Sequence, residues 1–224
     1  MTKKNYHIFE RLRFATCLTF ISGFLNAFTF ITQGGRFAGV QSGNVVYLAY
    51  YVANRNMKEA VAFLIPILFF VFGQWFTYLL KRFCIVHSIP WHLTSTLVMM
   101  GLVILDILLN PLVGHSFTIA VLAFVASIQV ETFRNIHGLP YANVMMIGNV
   151  KNAAFLWFKG IIEKNAQLTR RRIHIFYAIL TFMLGVVVAT FSTQTFKEQA
   201  LIVVLLPLIY MNVQLWLEKK LSNR

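Results

Sequence analysis

From Ala60 to Leu80 the chain carries no charged side chain, and a second stretch, Ile173–Phe191, has no Asp, Glu, Lys or Arg. Runs of about 20 apolar residues are long enough to cross a hydrocarbon core about 30 Å thick. Backbone groups in lipid must be paired within the spanning structure, which leaves helices or a closed barrel. A barrel strand alternates apolar and polar residues, whereas these stretches are apolar on every face. Helices follow. The whole composition agrees: 58% of the 224 residues are hydrophobic and 12% charged, with a mean hydropathy of +0.68. Soluble domains hold about 45–50% and about 25%. The chain reads as all-α, a polytopic transmembrane helical bundle forming one membrane domain, residues 1–224, with the lipid bilayer as its first partner.

A net charge of +13 raises nucleic acid as a partner. The basic residues are divided among short segments between apolar runs, however, which is the pattern of the positive-inside rule. Nucleic acid is set aside. Lys3, Lys4, Arg11, Arg13, the Arg170-Arg171-Arg172 run and Lys219-Lys220 are expected on the cytoplasmic side, and with them the N-terminus. Cys17 and Cys84 lie in or beside apolar segments and offer neither a metal set nor a disulfide framework. The first apolar segment lacks an Ala-x-Ala-like end and is expected to remain as a span.

Six segments read as spans: 14–32, 60–80, 92–109, 114–133, 173–192 and 200–217. Two shorter ones, 38–54 and 141–158, each follow a helix-breaking step, Gly34-Gly35 and Gly138-Leu139-Pro140, and each contains Gly-Asn. They resemble each other. Laying Ala15–Tyr50 on Ala120–Phe155 without a gap matches eight of 36 positions, including Ser22 with Ser127 and Gly43-Asn44-Val45 with Gly148-Asn149-Val150. A few inserted residues then align Phe72-Gly73 with Leu184-Gly185. Tandem halves, roughly 1–112 and 113–224, are expected. If the short segments cross the membrane there are eight spans and both halves share one orientation. If they are re-entrant there are six, and the halves are inverted. Charge does not separate the two.

Ser42-Gly43-Asn44 and Ile147-Gly148-Asn149 are the first candidates for function. A helix beginning inside a membrane leaves its first N–H groups and positive dipole end exposed, and transporters use such ends to hold ions or anionic groups. The plainer alternative is a packing notch, with Gly against a partner helix and Asn satisfying broken backbone. Ser22-Gly23-Phe24-Leu25-Asn26-Ala27, followed by Ser42-Gly43-Asn44 and a small-residue apolar helix, resembles the YoaK-like family of bacterial membrane proteins. That family is a domain of unknown function, usually described with six spans. Its pattern favours Asp where this chain has Asn26 and Thr where it has Ser42. Gln129-Val130-Glu131 stands near the family's Gln-Asn-Ala step, and Ile147 replaces its second Thr. The resemblance implies a multi-pass protein of a bacterial cytoplasmic membrane and supplies no substrate. The missing Asp weakens any carry-over of proton or cation coupling.

Ionisable groups inside lipid cost roughly 2.5–3.5 kcal/mol each at a helix centre, which makes them functional candidates. Asp106, before Asn110-Pro111, reads as interfacial. Glu131 has two candidate partners: Arg134, three residues on, or Lys151 in the otherwise apolar helix beyond the second Gly-Asn step. Gln74, Gln129, Asn212 and Gln214 are expected to hydrogen-bond between helices, and Pro66 and Pro207 to kink their spans. Metal-ligand spacing, nucleophile–base pairs and cofactor motifs are absent from the sequence, so the chain is not read as an enzyme. The reading that follows is a transporter or permease for a small solute, lined by Asn26, Ser42, Gly43, Asn44, Gln129, Glu131, Gly148 and Asn149. The alternative is a non-transporting scaffold or accessory subunit. Homo-oligomerisation stays open.

Overall fold

The structure, a computed structural model, describes residues 7–133, 135–136, 139–140, 144, 146–163 and 166–222. It is all-helical apart from a two-residue antiparallel pairing, β1 (Asn135–Ile136) with β2 (Leu139–Pro140). Eight α-helices lie among the described residues. They are α1 (Leu12–Thr32), α2 (Gln41–Ala53), α3 (Met57–Val86), α4 (Trp91–Val113), α5 (His115–Thr132), α6 (Met146–Ile162), α7 (Ala166–Phe196) and α8 (Leu205–Ser222). Five apolar stretches are long enough to cross a membrane, the last running from Ile175 to Leu221 through both α7 and α8. Between those two helices the chain tightens into a 3₁₀ stretch, Lys197–Val204.

The helix ends follow local chemistry. Gly34 and Gly35 take φ values of +66° and +78° after α1, a conformation costly for other residues. The Glu59 N–H donates to Asn56 Oδ1 at 3.3 Å and caps α3. Gly114, at φ +83°, turns α4 directly into α5. Pro66 lies inside α3, which continues through it. Pro207 falls in the first turn of α8, just after the 3₁₀ stretch.

Two helices form the interior. The apolar windows of α1 and α5 are 67% and 61% buried, against 28% or less for the others. Phe14, Leu18, Ile21, Phe24, Leu25 and Phe28 of α1 belong to one apolar cluster with Leu122, Val125 and Ile128 of α5. Around them, large apolar side chains such as Trp75, Leu79, Leu108, Phe158 and Leu206 are exposed. An exposed apolar belt of this extent fits a bilayer as solvent.

Close approach between helices is made by glycine. A Cβ on Gly23 of α1 would overlap the Phe182 carbonyl of α7, and one on Gly185 of α7 would overlap the Phe20 carbonyl of α1. On the opposite pair, a Cβ on Gly73 of α3 would stand 2.7 Å from that of Ser127 on α5. Small residues let membrane helices pack on van der Waals contact and short polar bonds. Thr19 and Thr181 share such a bond at 2.6 Å across α1 and α7, and Thr96 donates to Asn212 at 2.8 Å across α4 and α8.

Candidate functional site

The broken segment after α1 is held by two asparagines and a threonine. Residues 38–40 run back along α1: the Ala38 N–H donates to Thr29 Oγ1 at 3.1 Å, and the Gly39 and Val40 N–H groups donate to Asn26 Oδ1 at 2.8 and 3.1 Å. Asn26 Nδ2 donates to the Ser22 carbonyl at 2.8 Å. One turn into α2, Asn44 Oδ1 accepts from the Phe37 N–H at 3.0 Å. Its Nδ2 donates to the Phe37 carbonyl at 2.7 Å and to Gln41 Oε1 at 2.9 Å. Asn26 is 4% exposed and Asn44 fully buried. Both amides satisfy backbone that a continuous helix would have paired for itself.

The two interruptions meet. Gly39, just before α2, packs against Val144, just before α6, so closely that a Cβ on Gly39 would overlap the valine. Val144 is 1% exposed. Arg36 pairs with Glu59 at 3.4 Å and lies over the Phe63 ring, while Tyr47 and Tyr51 of α2 stack on that same ring. The exit from α1 and the start of α3 are thus joined by an ion pair, and α2 packs on the first turns of α3.

The remaining sequence-derived residues divide. Gln129, fully buried, donates to the Leu18 carbonyl at 2.9 Å and ties α5 to α1. Asn149 is 3% exposed, with its amide on Met146 Sδ at 3.6 Å. Gly43 faces the Phe37 ring, Gly148 faces open space, and Ser42 is exposed. Glu131 lies in a pocket with Lys81, Trp91 and His92, whereas Lys151 is exposed on α6. Gly138 and Arg134 lie outside the described residues, as do the side chains of Arg170–Arg172. Gln74 bridges α3 to Ser127 Oγ at 2.8 Å. Sequence reasoning missed Thr29, which reads as an ordinary residue of α1 until the returning chain is placed beside it, and Gln33, whose partner His115 opens α5.

Asp106 is fully buried by the protein, and neither carboxylate oxygen has a hydrogen-bond partner among the described residues. The α4–α5 hairpin closes over it through Gly114, which is why proximity to a helix end does not expose it.

Apolar helices in a lipid-facing bundle, with polar groups turned inward, define a multi-pass α-helical integral membrane protein. The chain matches a family described as "Protein of unknown function (DUF1275)" over residues 14–213. It belongs to that family, the YoaK-like membrane proteins. No curated protein and no solved structure matches it.

Proposed function

We propose that the chain is a small-solute transporter or permease built from two inverted halves, with its central site where the two broken helices meet. The contact of Gly39 with Val144 carries this reading. The register that lays Ala15 on Ala120 also lays Gly39 on Val144, so corresponding positions of the two halves touch, as residues beside a two-fold axis do. The packing follows the same relation. Gly73 of α3 meets α5 and Gly185 of α7 meets α1, so each half offers its third helix to the other half's first. In this reading α2 and α6 are re-entrant, six helices cross, and Asn26, Ser42, Gly43, Asn44, Gly148 and Asn149 belong to the junction, whereas Glu131 lies apart from it beside Lys81 and Gln129 ties α5 to Leu18 of α1. Discontinuous helices at a repeat interface are the usual place for a transported solute.

A second reading, a non-transporting scaffold, rests on one observation: the Asn26 and Asn44 amides are engaged by the chain's own backbone. Uptake of labelled small solutes by proteoliposomes separates the two. Under transport, at least one solute enters, and charge-neutral substitution of Asn44 or Asn149 abolishes its flux in protein that remains folded. If flux is absent, or if the substitutions alter only stability, the scaffold reading prevails.

A further inference from the structure

Away from the junction, four oxygens converge between α4 and α5 with nothing to bond to. Both oxygens of Asp106, Asn110 Oδ1 and Thr118 Oγ1 are buried and unpartnered among the described residues. Asp106 and Thr118 are fully buried and Asn110 is 4% exposed. Asp106 and Asn110 are four residues apart on one face of α4. The Thr118 hydroxyl lies beside the carboxyl without reaching hydrogen-bond geometry.

The cluster is rich in acceptors and poor in donors. Among the described residues no N–H reaches the carboxylate, and Asn110 presents its oxygen unpaired. A bare carboxylate in such surroundings is strongly disfavoured. One proton resolves the imbalance, because a carboxylic acid donates through its O–H to Asn110 or Thr118 while its other oxygen accepts the threonine hydroxyl.

Thr118 lies in the first turn of α5, whose end carries titratable groups. At the same end of α5, His115 Nδ1 stands 3.2 Å from Gln33 Oε1 and 3.6 Å from Glu198 Oε1. The His115 side chain is 64% exposed. Lys197 and Glu198 are the charged groups of the 3₁₀ stretch, and His115 is the titratable group at this end of α5. α3 and α8 also pack on α4, but their charges lie near their ends: Lys58 and Glu59, Lys81 and Arg82, and Glu218 to Lys220.

We propose that Asp106, with Asn110 and Thr118, is a proton-binding site buried between α4 and α5. Proton binding stands without the transport reading; only its use in coupling rests on that reading.

A hydrophobic carbodiimide tests the site, because it attacks protonated carboxyls and leaves an N-acylurea that peptide mass identifies. Purified protein is labelled with dicyclohexylcarbodiimide from about pH 5 to about pH 9, the range in which a buried carboxyl loses its proton. The Asp106 peptide is expected to carry the adduct, with labelling falling about tenfold per pH unit above its midpoint. Asp106→Asn should abolish the adduct on that peptide. No labelling of monodisperse protein at any pH overturns the proposal, as does labelling independent of pH. Suppression by sodium chloride at fixed pH, absent with choline chloride, overturns it in favour of an alkali-cation site. The measurement reads no flux, so its failure leaves the transport reading where it stood.

Discussion

At the scale of single residues, Asn26 shows what the interruption requires. Its oxygen accepts two backbone N–H groups, and its nitrogen makes one bond to the Ser22 carbonyl. An aspartate keeps both accepted bonds and loses only the donated one. That accounts physically for a family pattern that favours Asp at this position. Asn26→Asp is therefore expected to destabilise less than Asn26→Ala, which strands the Gly39 and Val40 N–H groups; thermal melting of the two variants in one detergent decides. Asn44→Ala removes three bonds around Phe37 and Gln41. Leaving a buried polar group unsatisfied costs about 1–3 kcal/mol, so a clear fall in melting temperature is expected. A melt within error of the parent would show that water replaces the amide. Asn44 was legible in the sequence as a polar group at a break, and Asn26 only through the family resemblance. Their partners were not, because Phe37, Gly39 and Val40 contribute only backbone, which has no sequence signature. The burial of Asp106 was not legible for a related reason: position along a helix says nothing about which neighbour covers it.

At the scale of elements, charge-free length read well and helix ends read poorly. The expected segment 60–80 becomes Met57–Val86, since Lys81 and Arg82 can extend to the interface from a helix that continues past them. The expected segment 173–192 becomes Ala166–Phe196, because an Arg run ends an apolar window without ending a helix. The short segments 38–54 and 141–158 appear as Gln41–Ala53 and Met146–Ile162. Gly23, Gly73 and Gly185 set how closely the helices pack, and their surroundings predict a graded response. Gly185→Ala would press a methyl onto the backbone of Phe20 and Phe24, and overpacking of this kind costs about 1–3 kcal/mol or more. Gly101 has nothing within 4 Å. Gly101→Ala should be neutral or stabilising by about 0.5–1 kcal/mol, the helix preference of Ala over Gly. Size-exclusion profiles after graded heating should rank Gly101→Ala at or above the parent and Gly185→Ala well below it. The reverse order would mean that α1 and α7 do not pack as described.

At the scale of the whole molecule, the re-entrant reading makes a prediction that the eight-span reading contradicts. Arg36 and Glu59 are 3.4 Å apart, so the exit from α1 and the entrance to α3 share one end of the bundle. α3 has 30 residues, a length of about 45 Å at 1.5 Å per residue, and carries the chain to the other end. There Lys81 lies in the pocket with Phe9, His92 and Phe133, and Glu218 of α8 accepts from the Ile8 N–H at 2.9 Å. Single cysteines at positions 36, 55 and 82 report the arrangement once Cys17 and Cys84 are replaced. If α2 returns to the side from which it came, a membrane-impermeant maleimide reaches 36 and 55 from one side and 82 from the other. If α2 crosses, 36 and 82 share a side and 55 stands alone. The first pattern makes the halves inverted, because three crossings in the first half leave the second starting from the opposite side. The second pattern would give both halves one orientation, and the contact of Gly39 with Val144 would then no longer relate inverted halves. Labelling of oriented vesicles at these three positions therefore tests the span count and the two-fold reading of the junction together.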